Sequence, residues 1–427
     1  MRWAVLFTFP FSLAAAETVT FHRDVVPVLQ SRCQSCHRPG EAAPMSFLSY
    51  KETRPWAKAM KTAVLARKMP PWFAEPGVGH FRNDRTLLPG EIETLVKWVD
   101  SGAREGNPRH APRPVPFVEG WAVGKPDVVF EMPEPFDVPA AGIVDYQWVI
   151  LPTGFAEDKW IRSIEVRPGN RSVVHHIGLF TRRAGSKWLA EARPGVPVRK
   201  APGGPESGGS DGLIGEYVPG LPAKPFPAES ALLLPAGSDL VLQVHYTPTG
   251  TQAKDQSKVG IQFATAPPRQ RFLFFGLTND RFVIPPRQAG HRVEAQTTLG
   301  ADVRLLDLQP HMHLRGKSFE FRAVYPDGKT EVLLRVPNYD FNWQLTYELA
   351  EEKILPAGTR IEATAVYDNS PNNPKNPNPE AEVRAGDQTT DEMMAGVIHL
   401  AVAPDFDLRR LFRRPVTPYQ QEKKTGE

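Results

Sequence analysis

Residues 319–336 read FEFRAVYPDGKTEVLLRV, and this stretch predicts a β-hairpin. Phe319, Phe321 and Ala323 alternate with polar residues before the turn sequence Pro326-Asp327-Gly328. Apolar residues alternate again after the turn, as on a strand with one buried face. The pattern indicates that the C-terminal part of the chain is built from strands.

The composition of the whole chain also favours short strands joined by turns. Its 427 residues include 44 prolines and 33 glycines, more than globular proteins usually contain. The 51 basic and 48 acidic residues are interspersed and leave a net charge of only +3, which argues against a nucleic-acid partner. An apolar content of 41% excludes a disordered chain, and two cysteines exclude a disulfide framework.

An internal repeat suggests two similar β domains. Leu234-Pro235-Ala236-Gly237 and Leu355-Pro356-Ala357-Gly358 each lead into an apolar strand. The two segments lie roughly 120 residues apart, about the length of one β-sandwich domain. We therefore expect two β-sandwich (jelly-roll-like) domains in tandem.

The N-terminus predicts export. Arg2 precedes an apolar run over residues 3–13, and Ala14-Ala15-Ala16 follows it. A basic start, a short apolar segment and small residues are typical of a secretory signal peptide, although a buried N-terminal strand is the alternative. No other apolar run is long enough to span a membrane, so we expect a periplasmic or secreted protein without a transmembrane segment after signal cleavage.

The only two cysteines lie in Cys33-Gln34-Ser35-Cys36-His37. This C-x-x-C-H pattern is the attachment sequence for covalent haem c, in which both thiols form thioethers and the histidine becomes an axial ligand. A zinc half-site lacks a second ligand pair nearby, and a redox dithiol rarely carries a histidine next. We therefore expect Cys33, Cys36 and His37 to bind haem.

The residues around this motif predict helices. Apolar residues have helical spacing over Phe21–Leu29, Thr53–Lys68 reads as a second helix, and Pro89-Gly90-Glu91 opens a third. This arrangement resembles a small class I cytochrome c domain, so the predicted fold class is an all-α haem domain followed by two all-β sandwiches. A thioether should supply the sixth iron ligand. Met69, in a rigid Pro-rich loop, is the first candidate, and Met45 and Met60 are weaker ones.

The sequence thus predicts six segments. They are a signal peptide (1–16), a cytochrome c-like haem domain (17–105), a Pro-rich linker (106–118), a first β-sandwich (119–268), a second β-sandwich (269–414) and a flexible tail (415–427). Residues 194–230 are too rich in Gly and Pro for a regular element. They form either a lid or a disordered loop.

Five of the eleven histidines fall in three compact apolar motifs, which are Val173-Val174-His175-His176-Ile177, Leu240-Val241-Leu242-Gln243-Val244-His245-Tyr246 and Gln309-Pro310-His311-Met312-His313-Leu314. Residues two apart on a strand point to one face, so His311 and His313 suit a single metal. Adjacent histidines face opposite ways, so joint ligation by His175 and His176 needs a bulge. His245 by itself is typical of a buried structural histidine.

The set of histidines carries more weight than any one motif. Imidazole ligands suit Cu, Zn, Fe and Ni, and the missing carboxylates argue against non-haem iron, Mg and Mn. His399 lies in an apolar run without a nearby partner, and we interpret it as structural.

These motifs resemble a known family, the copper type II monooxygenases that include peptidylglycine α-hydroxylating monooxygenase and dopamine β-monooxygenase. The resemblance covers about residues 120–410 and depends on Val174-His175-His176, Leu242–Tyr246, His311–Leu314 and Thr389-Thr390-Asp391-Glu392-Met393. It implies two tandem β-sandwiches and two copper ions. His175, His176 and His245 would hold the electron-storing copper. His311, His313 and Met393, rather than the adjacent Met394, would hold the oxygen-binding copper.

The resemblance implies an exported monooxygenase that hydroxylates a C–H bond of a small organic substrate with O₂. The fused haem would be the electron donor, in place of or beside a periplasmic donor or an external ascorbate-like reductant. The alternative is a non-enzymatic periplasmic haem and copper electron-transfer or copper-binding protein. A zinc hydrolase would need an open metal position beside a carboxylate base, which no motif provides.

The sequence departs from the family at three points. Animal members carry disulfides, whereas both cysteines here are assigned to haem. Peptide-amidating members have an arginine where Gln309 stands, and an Asn and a Tyr where Ala395 and Val397 stand. An amide cannot replace a bidentate charged contact to a carboxylate, so the resemblance does not extend to peptide amidation. The fused haem domain is the third departure.

Overall fold

The computed structural model describes residues 18–41, 43–199, 212–221 and 223–413. The predicted signal peptide and tail lie outside the described residues. Residues 200–211 and 222 of the Gly/Pro-rich segment also lie outside them. The prediction of a lid or a disordered loop for this segment therefore falls largely outside the described residues. Among the described residues, no helix has the length and apolar character needed to cross a membrane.

The described residues form two compact units, one within residues 1–70 and 85–116 and one within residues 71–84 and 117–427. The helices of the first unit are α1 (Val26–Arg32), α2 (Tyr50–Thr53), α3 (Ala57–Leu65) and α4 (Pro89–Asp100). α4 begins where the Glu91 carboxylate accepts the Leu88 N–H at 2.7 Å. It buries Leu95 and Trp98 in a small core together with Phe21 and Leu29.

The predicted all-α cytochrome c domain was wrong. Strands make up 37% and helices only 12% of the structure, the helices are short, and no small all-α cytochrome domain is evident among the described residues. Prolines account for part of the difference, because they lack an N–H for the helical ladder. Pro55 lies in a 3₁₀ turn that precedes α3, and α1 starts only after a π-helical turn at Phe21–Val25. The helix predicted over Thr53–Lys68 ends early, at Leu65, and Arg67 adopts a positive φ of 52°.

The second unit consists of strands. They are β1 (Val128–Glu131), β2 (Phe136–Val138), β3 (Gln147–Pro152), β4 (Lys159–Arg167), β5 (Val174–Arg182), β6 (Leu213–Tyr217), β7 (Ser230–Leu234), β8 (Asp239–Tyr246), β9 (Ala253–Asp255), β10 (Lys258–Phe263), β11 (Gln270–Asn279), β12 (Val283–Ile284), β13 (Ala289–Leu299), β14 (Val303–His311), β15 (Gly316–Val324), β16 (Thr330–Val336), β17 (Tyr347–Leu355), β18 (Arg360–Asp368), β19 (Val383–Arg384), β20 (Met394–Val402) and β21 (Phe412–Arg413).

One long sheet runs through the whole second unit. Its eight strands are ordered β1-β10-β4-β7-β11-β20-β14-β17. β3-β8-β5-β6 forms a core with the first half of this sheet, and β16-β15-β18-β13-β21 forms a second core with the other half. The two halves join where β7 and β11 pair in parallel, at Ser230–Gln270 and Ala231–Arg271. Two short pairs, β2-β9 and β12-β19, complete the unit as far as it is described.

Residues 71–84 belong to this second unit, which the sequence did not predict. The Arg82 N–H donates to the Glu348 carbonyl at 2.9 Å, and the Ala350 N–H donates to the His80 carbonyl at 2.8 Å. Trp72 packs on Tyr347 with a ring separation of 4.8 Å. The segment therefore extends the second core.

The internal repeat corresponds to a repeated structural element. Both Pro-Ala-Gly turns carry the chain from the long sheet to the facing sheet, from β7 to β8 and from β17 to β18. In each turn an aspartate accepts the alanine N–H at 2.8 Å, Asp158 for Ala236 and Asp302 for Ala357. The glycine that follows adopts a positive φ in both turns, which a residue without Cβ allows at low cost.

Candidate metal centre

A bulge brings the first three predicted ligands together. β5 and β8 pair antiparallel with His176 opposite His245, and the register shifts between Val174 and His176. His175 is the extra residue of this bulge, so its ring lies on the same side as that of His176. The ring centroids of the three histidines are 5.0–5.3 Å apart.

The nitrogens of this cluster are spaced as ligands of one ion would be. One nitrogen from each of His175, His176 and His245 lies within 4.8 Å of the others. His175 Nδ1 and His176 Nδ1 are 3.0 Å apart. Two nitrogens bound at about 2.0 Å and separated by about a right angle would be roughly 3 Å apart. His245 Nδ1 is buried without a hydrogen-bond partner among the described residues, while its Nε2 contacts the Thr389 hydroxyl at 3.0 Å.

The two histidines of the second predicted set lie at the end of β14 and just after it. The rings of His311 and His313 are 5.4 Å apart. His311 Nδ1 contacts the Gln344 side-chain oxygen at 2.8 Å, and His313 Nδ1 contacts the Asp391 carbonyl at 3.3 Å. Such acceptors fix the orientation of metal-bound imidazoles and leave Nε2 as the donor atom. His313 Nε2 is indeed buried and unpartnered within the described part of the chain.

The two methionines considered for this set lie in different environments. Met393 and Met394 both line the same cavity as His311, and Met393, just before β20, is half-buried. Met394 is almost completely buried in the second hydrophobic core. The Tyr367 hydroxyl donates to the Met393 carbonyl at 2.8 Å and anchors this segment. Met393 is therefore the more exposed of the two.

The two histidine sets adjoin each other. The ring centroids of His176 and His311 are 6.1 Å apart. Tyr146, fully buried, stacks on His245 at 4.7 Å and lies 6.5 Å from His313. The five histidines thus form one cluster with an aromatic side chain between the sets.

Phe341 is a second aromatic link between the sets. Its ring stacks on His175 at 4.9 Å and makes an edge contact with His313 at 6.0 Å. Aromatic walls exclude water from the space between the imidazoles and lower the local dielectric.

Burial keeps the imidazoles neutral at pH 7. It lowers the pKa of His175 and of His311 to about 4 and that of His313 to about 3. Burial, reinforced by the neighbouring histidines, holds the pKa of His176 and of His245 well below the usual value. Neutral imidazole is the form that binds metals.

Sequence reasoning missed the groups that hold the second set in place. The Glu392 carboxylate accepts the His313 N–H at 2.9 Å and the Arg315 N–H at 2.6 Å. Arg315 is buried beside it and donates to the Asn369 side chain at 2.9 Å. Burial raises the pKa of Glu392 to about 8, against the effect of these donors. The available signal was a Glu inside one ligand motif and an Arg directly after the other. Nothing near Tyr146 or Gln344 in the sequence indicated their roles.

A cavity of about 470 Å³ adjoins the cluster. His176, His311 and Met393 line it, together with apolar side chains such as Phe274 and Phe180. Its charged lining residues are Glu216, Asp280, Asp387 and Glu392, and no lysine or arginine lines it in the part of the chain that the structure describes. The cavity therefore suits a largely apolar molecule and disfavours an anionic one.

The haem-motif residues lie on one turn after α1. The Cys36 and His37 N–H groups both donate to the Cys33 carbonyl, at 3.1 and 2.9 Å. Both cysteines are free thiols, and burial raises the pKa of Cys33 to about 12. The His37 ring stacks on Phe47 at 4.3 Å. Two free thiols next to a histidine are compatible with thioether attachment of haem.

The three candidate iron-binding methionines differ in burial. Met69 is half-buried in the turn after α3, and Met45 packs against the edge of the small core. Met60 belongs to that core. His399, interpreted as structural, contacts the buried Asp307 at 3.1 Å.

Comparisons with known proteins do not identify this chain. No family model matches it, and no curated protein matches it. The similar solved structures include the VP2 subviral particle of infectious bursal disease virus, with 11% identity, a TM-score of 0.19, and coverage of 71% of this chain and 78% of that one. They also include allantoicase from Saccharomyces cerevisiae, with 9% identity, a TM-score of 0.18, and coverage of 55% and 79%. TM-scores this low say nothing about fold or function.

The lowered histidine pKa values predict acid sensitivity of the metal-free protein. Below a pH of about 6.5 the unfolded chain binds protons that the folded chain does not, so the free energy of unfolding should fall from pH 6.5 towards 4. At about 1.4 kcal/mol per unit, His311 contributes about 3 kcal/mol to this loss. Urea unfolding of wild type and His311→Gln at several pH values measures the difference. Equal pH dependence in both proteins would contradict the prediction.

The contacts of Glu392 predict a large effect on stability. Glu392→Ala leaves two buried N–H groups without their acceptor and removes the carboxyl beside the buried Arg315, so we expect a loss of about 3–5 kcal/mol. Urea denaturation provides the measurement. Glu320→Ala is the control, because its partly exposed pairs with Arg322 and Arg335 should contribute only about 1 kcal/mol. A loss at Glu392 no larger than that of the control would contradict the assigned role.

Proposed function

We propose that this protein is an exported copper-dependent monooxygenase that hydroxylates a C–H bond of a small organic molecule with O₂. The observation that carries the proposal is the convergence of five histidines, predicted as ligands from three separate motifs, on one buried cluster beside a cavity. Copper bound there would supply one-electron exchange and dioxygen chemistry.

The two ligand sets are suited to different oxidation states. His175, His176 and His245 provide only imidazoles, which accommodate both Cu(I) and Cu(II). His311 and His313 share their site with the soft thioether of Met393, which favours Cu(I). The first set therefore suits electron storage and the second suits oxygen binding.

The cavity supports a substrate without a carboxylate near Gln309. The Gln309 amide donates to the Glu216 carboxyl at 2.9 Å, so an acidic group lies where peptide-amidating relatives would place an arginine. An anionic end group would find no lysine or arginine among the described residues that line the cavity. We therefore propose a mainly apolar, non-anionic substrate.

The cavity also favours an enzyme over an electron carrier. A carrier needs metal sites within reach of its partner, but it needs no space for a second molecule beside the ligands. Here the space lies directly against His311 and Met393. The carrier remains the alternative that an oxygen assay would distinguish.

Copper loading tests the ligand assignments. We expect two copper ions per chain, with His245→Ala and Met393→Ala each losing one, because each removes a ligand from a different set. The ring centroids of His176 and His311 are only 6.1 Å apart, so two Cu(II) ions bound by these rings should broaden each other's EPR signals. Either substitution should remove the broadening. Reductant-driven O₂ uptake should require both ions and stop on chelation.

Three results would contradict the assignments. One is a variant that keeps both ions and wild-type spectra. Another is a fully loaded protein without magnetic coupling between its sites. If the copper-loaded protein consumes no O₂ in the presence of reductant, the monooxygenase proposal is wrong and the electron-carrier alternative is favoured.

We further propose that the Cys33–His37 turn holds covalent haem c, which would supply one-electron transfer. Met69 would be the sixth ligand, and electrons would pass from this unit to the histidine cluster. The support is that a one-electron group precedes, in the same exported chain, a site whose reaction consumes two electrons.

Rapid mixing tests this electron supply. Haem reduced under anaerobic conditions should reoxidise faster in the Cu(II)-loaded protein than in the copper-free protein. Met69→Ala should lower the haem reduction potential, because a thioether ligand favours the ferrous state. Equal reoxidation rates, or haem that extracts into acidified organic solvent, would contradict the proposal.

A further inference from the structure

A line of buried polar residues leads from the surface of the second unit towards the cavity. Asp307, Gln309 and His311 occupy alternate positions of β14, so their side chains share one face of the long sheet. The residues opposite Asp307 on the neighbouring strands are Glu348 on β17 and His399 on β20. Directly opposed residues of antiparallel strands lie on the same face. Glu348, Asp307 and His399 therefore form a row across three strands.

This row reaches solvent at Glu348. The Lys224 ammonium lies 2.6 Å and the Arg82 guanidinium 3.6 Å from the Glu348 carboxylate, and both cations are about half exposed. The buried Asp307 accepts from His399 Nδ1 at 3.1 Å. The pKa of Asp307 is lowered despite its burial, because the hydrogen bond and charge of His399, with Lys224 and Arg82, favour the carboxylate.

Glu216 lies at the cavity end of the same line. It extends from β6, lines the cavity, and accepts hydrogen bonds from Gln309 at 2.9 Å and from the Thr346 hydroxyl at 3.3 Å. Burial raises the pKa of Glu216 despite the opposing hydrogen bond from Gln309 and charge of His399, and the charge of Asp307 adds a smaller increase. The group is thus a carboxyl that can hold a proton beside the candidate oxygen site.

Three polar atoms around this line are buried without a hydrogen-bond partner among the described residues. They are Asp307 Oδ1, Gln309 Oε1 and His399 Nε2. Buried polar atoms are rarely left unpaired, and a group of them is typical of a place that water bridges. A water-bridged row would connect His399 and Asp307 with Glu216.

We propose that Glu216 donates protons to the oxygen chemistry at the histidine cluster and that the Asp307–His399 pair reprotonates it from the surface. This inference rests on the proposed monooxygenase function. In that reaction the O–O bond and a substrate C–H bond break. One oxygen atom enters the product as hydroxyl, and the other leaves as water. Two electrons from a one-electron reductant and two protons balance the equation, and the buried site needs a route for those protons.

The charge environment of Glu216 defines the expected pH dependence. Burial raises its pKa, the hydrogen bonds from Gln309 and Thr346 lower it, and of the nearby charges His399 lowers it and Asp307 raises it. Lys224, Arg82 and Glu348 act at the outer end of the row. Since the protonated carboxyl is the donor, O₂ uptake should decline as the pH rises through the elevated pKa of Glu216.

Glu216→Gln tests the proposal in the full-length, copper-loaded protein. It keeps the side-chain shape but removes the proton. We expect unchanged copper content, O₂-dependent reoxidation slowed by about 10²-fold, as for loss of a general acid, and no remaining solvent isotope effect or alkaline decline. Asp307→Asn should move the alkaline decline to lower pH. Glu331→Gln, on β16 outside the cavity, is the matched control and should behave as wild type.

Infrared spectroscopy supplies a readout that does not depend on turnover. The difference spectrum between the reduced and oxidised copper-loaded protein should contain a carboxylic-acid carbonyl band that shifts in D₂O. Glu216→Gln should lose this band and Glu331→Gln should keep it. If Glu216→Gln keeps the band, or reoxidises with the wild-type rate and pH profile, the proposal is wrong. If wild-type protein does not react with O₂, the proposed function fails, and the infrared band alone decides whether Glu216 exchanges a proton when the site changes redox state.

Discussion

The parallel pairing of β7 with β11 determines how the second unit is built. Each half of the unit has its own apolar core and carries one of the two ligand sets. The pairing of Ser230 with Gln270 and of Ala231 with Arg271 joins the halves into one sheet. Because the halves are fixed in this way, the face of β14 that carries Gln309 lies towards β6, and the Gln309 amide donates to Glu216 there. This continuous sheet holds the two halves so that their histidines come together beside the cavity.

Burial of this histidine cluster is energetically unfavourable when no metal is bound. Five imidazoles are buried in contact with one another and with aromatic rings, and their pKa values are lowered mainly by burial. His245 Nδ1 and His313 Nε2 have no hydrogen-bond partner among the residues described. Buried polar atoms of this kind normally destabilise a fold unless a ligand occupies them. The ligand that suits neutral imidazoles and a thioether is a soft or borderline transition metal such as copper.

Local patterns in the sequence predicted the parts of this arrangement that depend on neighbouring residues. The hairpin at 319–336 forms as β15 and β16, with Phe319 opposite Val336. The adjacent histidines required a bulge, and a register shift occurs just before His176. The repeated Pro-Ala-Gly turn also forms in both halves. Each of these features is decided by side-chain alternation or by turn residues close together in the chain.

Features that depend on distant contacts were not predicted. The Tyr146 N–H donates to the Gln388 side chain, and Gln344 contacts His311, across separations that periodicity cannot reveal. Residues 71–84 join the second unit through main-chain bonds to β17, although the sequence analysis placed them in the haem domain (17–105). In the first unit, helical spacing suggested longer helices than form, because Pro55 and the positive φ of Arg67 interrupt the pattern.

Diffraction from crystals of copper-loaded protein at the copper absorption edge tests the central claim most directly. The account predicts two anomalous peaks in the second unit. One should lie within bonding distance of His175, His176 and His245, and the other within bonding distance of His311, His313 and Met393. Copper bound away from these residues, or histidine rings that face apart and leave no space for an ion, would contradict it.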